Sequence, residues 1–70
     1  MKTGDFVKFS WWSAYRAPSI NINDNGLYTW HEILPGEVGI VLCTNDEDAA
    51  VLFPGIDVIL RVHISMLEII

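Results

Sequence analysis

Cys43, His31, His63 and Glu32 are the side chains of this sequence best suited to act as nucleophile, base or metal ligand. A thiol beside an imidazole is the arrangement of cysteine hydrolases, and imidazole, thiolate and carboxylate together hold zinc. The spacing favours neither chemistry. His31 and Glu32 are adjacent, and neighbours on an extended chain point to opposite faces, so they do not chelate one ion together. Cys43 lies between Leu42 and Thr44 in an apolar run and reads as a small packed hydrophobe. As the only cysteine it can form no intramolecular disulfide and no multi-cysteine zinc site. The sequence has no phosphate-binding loop, serine elbow or suggestive carboxylate pair. The expectation is a non-enzymatic chain without metal or cofactor.

Two oxygen-rich runs, Asn23-Asp24-Asn25 and Asn45-Asp46-Glu47-Asp48, carry the groups that calcium prefers, but neither has the ligand spacing of a calcium loop. The same residues are common in tight turns because they tolerate unusual backbone angles and hydrogen-bond their own main chain. The runs therefore read as turns.

The most suggestive cluster is aromatic. Trp11, Trp12, Tyr15, Tyr28 and Trp30 all fall in or beside one long connection. Exposed together, such rings offer wide apolar area with a polar handle, as binding hot spots do. Folded down, they would cap the open end of a small core, and a long connection in a short chain needs packing of this kind to be ordered. Both readings stand on the sequence alone.

The elements that must position these rings are strands. Gly4 to Ser10 alternates, with Val7 and Phe9 on one face and Lys8 and Ser10 on the other. Trp11 to Leu34 is a long excursion rich in turn formers, and Asn25-Gly26 within it favours a two-residue hairpin folding Ile20 to Asn23 against Leu27 to Trp30. After Pro35-Gly36, the stretch Glu37 to Thr44 is apolar without a break, which predicts a strand buried on both faces, with Gly39 marking a bend or bulge. Ala49 to Phe53 makes a third strand and Pro54-Gly55 a turn. Asp57 to Ser65 makes a fourth, with Val58, Leu60, Val62 and Ile64 inward and Ile59, Arg61 and His63 outward. A short turn at Ser65-Met66 leads to a fifth strand, Leu67 to Ile70. Apolar spacing of three and four does not persist, so the class is all-β with one helical turn at most.

Seventy residues make one domain, 1–70, near the lower limit for a self-sufficient core. Of these, 51% are hydrophobic and 19% charged, rich in apolar side chains for a size at which surface dominates. Apolar surface left over in the monomer points to an oligomer or a protein partner, with outward Ile59, the second face of Val38 to Cys43, Ile70, Trp11 and Trp12 as contact positions. The net charge of −5 and the scatter of Lys2, Lys8, Arg16 and Arg61 disfavour a nucleic-acid or anionic membrane partner. No apolar run is long enough to span a bilayer, and the N-terminal stretch does not read as a signal peptide, so a cytoplasmic setting is expected.

The sequence Gly4-Asp5-x-Val7-x-Phe9, then a long loop, then Pro35-Gly36-x-x-Gly39-x-Val41, resembles an SH3-like small β-barrel. Ala50-Val51-Leu52-Phe53-Pro54-Gly55 and Val62-x-x-x-x-Leu67-Glu68-x-Ile70 continue the pattern over nearly the whole chain. The resemblance implies a barrel of about five strands with a long loop after strand one. Stand-alone chains of this kind and length are familiar among the small proteins of tailed bacteriophages, and related patterns occur in KOW and Tudor-like modules. The basic loops of KOW modules are missing, and so are the acidic first loop and paired aromatics of peptide-binding SH3 domains. The resemblance is to a fold and not to an activity; with the apolar excess it leads to the expectation of a phage-type accessory or virion protein acting through protein–protein contacts, in the host cytoplasm or on the particle. The alternatives are a nucleic-acid-binding barrel, with loop aromatics on bases and Arg16 or Arg61 on phosphate, and an acidic inhibitor of a host protein.

Overall fold

The computed structural model describes residues 1–20 and 29–70. The described residues are all-β: β1 Phe6–Phe9, β2 Tyr15–Pro18, β3 Trp30–Ile33, β4 Val38–Thr44, β5 Asp48–Phe53, β6 Val58–His63 and β7 Leu67–Ile69, with a single 3-10 turn, Ile64–Met66, leading into β7. Five strands form one antiparallel sheet in the order β6-β5-β4-β1-β7, and β2 pairs with β3 in a second sheet.

Alternation in β1 sends Val7 and Phe9 inward, where both are fully buried. Val41 of β4, Val51 and Phe53 of β5, and Leu60 and Val62 of β6 meet them in one cluster, at about 1.5–3 kcal/mol for each large side chain taken out of water. Ala17 and Ile33 join this cluster from the hairpin, so the two-stranded sheet packs on the inner face of the five-stranded one. Ser19 bridges to Leu60 and the Ile20 N–H donates to the Ile59 carbonyl at 2.8 Å, which ties the hairpin to the β6 edge. Among the described residues that bridge is the junction on this side, and the ladders do not run on into a closed ring.

The turns follow local chemistry. Gly36 has φ +95°, and the Glu37 N–H donates to the Leu34 carbonyl at 3.2 Å; Pro then Gly in the centre of such a turn is the type II preference. Asn45 Oδ1 accepts from the N–H groups of Glu47 and Asp48, both at 2.8 Å, so this oxygen-rich run is a turn organised by its own side chain.

The structure departs from the sequence expectations at several points. The long connection contains a strand pair whose arms are Tyr15–Pro18 and Trp30–Ile33, with Trp30 opposite Pro18; most of the expected pairing of Ile20 to Asn23 with Leu27 to Trp30 lies outside the described residues. The Asn25-Gly26 turn and the Asn23-Asp24-Asn25 run lie outside the described residues. Gly39 is not the bulge: the ladder shifts between Val41 and Cys43 instead. Gly39 serves close approach, since a Cβ there would stand 2.5 Å from Val51 Cγ1 and 2.8 Å from the Leu52 carbonyl oxygen. β4 is not covered on both faces, because Val38, Leu42 and Cys43 are exposed. Cys43 is therefore a surface thiol rather than a packed one, displaced outward where the bulge turns the strand.

Candidate binding surfaces

The aromatic residues separate along the hairpin. Trp11, Trp12 and Tyr15 stand at the end where Tyr15 pairs with Ile33, and Trp30 stands three residue pairs away, opposite Pro18. At about 3.3 Å per residue, that places the two groups roughly 10 Å apart along the strands. Tyr15 packs on the core with its ring 6.4 Å from that of Phe9. Trp11 also packs on the core and lies 6.4 Å from Trp12, ring centre to ring centre, at a tilt of 40°. Trp12 itself is 82% exposed, the most open large hydrophobic side chain described. Trp30 is more than half exposed on the outward side of β3. Tyr28 lies outside the described residues. Trp11 and Tyr15 thus cap the core while Trp12 and Trp30 face water, so the capping and exposed readings each apply to part of the set.

Ile59 belongs to a different surface. Its register partner is Leu52, whose partner on the other side is Ile40, whose partner is Phe6. The Ile70 N–H donates to the Phe6 carbonyl at 3.0 Å and brings the Ile70 side chain alongside. Directly opposed residues share a face, so Ile70, Phe6, Ile40, Leu52 and Ile59 form one outward apolar row across the sheet. Ile40, Leu52 and Ile59 are half-buried; Phe6 and Ile70 are exposed. Val38 and Leu42 flank the row. Phe6 and Leu52 were not singled out in the sequence, yet the alternation that sends Val7 and Phe9 inward already assigns Phe6 to the face of Lys8.

The reactive side chains are dispersed. The His31 ring Nε2 lies 3.1 Å from Thr29 Oγ1, and Thr29 Oγ1 lies 2.8 Å from Ser19 Oγ, a short polar chain beside the hairpin. His63 Nδ1 accepts the Ser65 N–H at 3.2 Å, with Ser65 Oγ 2.7 Å away, which caps the 3-10 turn. Glu32 faces Arg16 across the hairpin. Among the described residues no group of three or more His, Cys, Asp or Glu side chains could hold a metal ion, and no helix is long and apolar enough to cross a membrane. Two shallow grooves formed by described residues, both including Ile20 and Arg61, hold about 210 and 180 Å³. Small-molecule sites usually enclose about 300–1,000 Å³.

Comparison with models of protein families, with curated proteins and with solved structures gives no match for this chain.

Proposed function

We propose that the chain is a non-enzymatic protein-interaction module built on an open SH3-like small barrel, acting through exposed apolar surface as an accessory or virion protein of the kind tailed bacteriophages encode. The host cytoplasm or the particle would be its setting. The observation that carries the reading is the exposure of large hydrophobic side chains on a 70-residue fold: Phe6, Trp12, Trp30 and Ile70 are each more than half open to water. They fall on two surfaces, the hairpin and the outer face of the five-stranded sheet, and exposed apolar patches are where interaction sites are found. The barrel assignment draws support from the strand order, in which the first and last strands are neighbours, the long connection follows β1, and a 3-10 turn precedes β7.

The test pairs two titrations of the folded chain. An apolar reporter dye should brighten on the native protein, and labelled single-stranded DNA or RNA should show no salt-dependent binding. Nucleic-acid affinity that falls steeply with salt, together with a dark dye, would replace this reading with the nucleic-acid one.

A further inference from the structure

Three features of the outer face of the five-stranded sheet point to one occupant. The first is the lack of alternation. A sheet with one wet face reads apolar-in and polar-out, whereas Val38-Gly39-Ile40-Val41-Leu42, Ala49-Ala50-Val51-Leu52-Phe53 and Val58-Ile59-Leu60 are apolar at every position, the pattern of strands covered on both sides. The inner side is covered by the core and the hairpin. The outer side has no described cover over Phe6, Val38 or Ile70.

The second feature is extent. The row from Ile70 to Ile59 crosses all five strands, about 19 Å at the usual strand spacing, and so nearly the width of a molecule measuring 33 × 24 × 21 Å. The third is charge. The five strands carry four formally charged side chains, Lys8, Asp48, Arg61 and Glu68, all on the outward side and balanced in sign. Lys8 is the register partner of Glu68, and Arg61 Nε lies 3.9 Å from Asp48. The whole charge of −5 is therefore carried outside these strands. Surfaces elsewhere on so acidic a chain would repel their own copies, but this face meets an identical one without surplus charge.

We propose that the outer face of the five-stranded sheet is the seat of a second copy of this chain, packed sheet against sheet about a two-fold axis, with Phe6, Ile40, Leu52 and Ile59 at its centre. A two-fold contact uses the same patch on both subunits, and such a patch must be self-complementary in charge, as this one is. The sheets would lie about 10 Å apart with strands roughly aligned. The inference rests on the interaction-module reading and names its partner.

The test is absolute mass by light scattering behind a sizing column, over a concentration series. The wild-type chain should reach twice its 7.9 kDa mass. Phe6→Lys should weaken the dimer at least tenfold while the far-UV spectrum and cooperative unfolding persist. If Phe6→Lys does not fold, Lys8→Glu gives the same information without touching an apolar residue, because it makes the face net acidic: the dimer should weaken in low salt and recover in high salt. A wild-type monomer at every concentration would overturn the inference while leaving dye binding, and so the broader reading, in place. A dimer indifferent to both substitutions but lost in Trp12→Ala would overturn it too, moving the contact to the aromatic end of the hairpin.

Discussion

The two faces of the five-stranded sheet both carry large apolar side chains but have different surroundings. The inner face contributes Val7, Phe9, Val41, Val51, Phe53, Leu60 and Val62, all essentially sealed from water. The outer face contributes Phe6, Ile40, Leu52, Ile59 and Ile70, which range from half-buried to largely exposed. Apolar content does not separate them, although the four charged side chains of these strands all lie on the outer face. What does is the hairpin β2–β3, whose Ala17 and Ile33 cover one face and not the other. The inner face accordingly carries the stability of the single chain, and the outer face is free to carry an association.

Removing mass from the inner face should give the largest effect. Phe9→Ala deletes a fully buried ring and should cost about 3–5 kcal/mol, read from the denaturant midpoint. For a domain this small that approaches the whole folding free energy, so a loss below about 1 kcal/mol would mean the inner face is not the core. Adding mass on the same side comes next. Gly39→Ala forces a methyl group against Val51 and the Leu52 carbonyl and should cost about 1–3 kcal/mol, the usual range for overpacking. The turn joining β4 to β5 tests the frame common to both faces. Asn45→Ala removes the acceptor for two backbone N–H groups and should cost about 0.5–1.5 kcal/mol by the same measurement.

Substitution on the outer face should do least to the isolated chain. Ile59→Lys should shift monomer stability by less than about 1 kcal/mol yet abolish assembly, the opposite profile to Phe9→Ala. If it unfolds the monomer instead, the distinction between faces fails. Asp48→Asn removes a partly exposed surface ion pair, worth about 0–1 kcal/mol, and its small effect should fall in high salt.

The five strands of the main sheet were legible because each has apolar residues bounded by strong turn signals, as with Pro35-Gly36 before β4 and Pro54-Gly55 before β6. β2 was not. Tyr-Arg-Ala-Pro has no apolar alternation, and Pro18 argues for a turn; the strand is tolerated because a two-stranded ribbon always has an edge that needs no N–H from proline. The Asn25-Gly26 signal is purely local and bears on residues outside those described, whereas the pairing of β2 with β3 brings Ala17 and Ile33 to a core made of distant residues, which no local signal announces. The bulge escaped for a similar reason. Gly39 looked like a backbone exception, but its requirement comes from the neighbouring strand, which single-strand reasoning does not see. At the binding surfaces, the aromatic residues were found by type, while their division into capping and exposed members depends on pairing across the hairpin. The outward row depends on the register of four strand pairings and is not visible in any one segment.

The adjacency of β1 and β7 also affects how the chain acquires its shape. Phe9 pairs with Leu67, so the sheet is completed only by a contact that spans most of the sequence. Such a long loop is entropically costly to close before native contacts reward it, and folds dominated by distant pairings form in milliseconds to seconds rather than microseconds. On the ribosome, β1 emerges first and waits for β7, with Phe6 and Val7 unpaired on that edge throughout. The interval between those two events is when the nascent chain is most open to misassociation, and a short polypeptide cut before Leu67 should never leave that state.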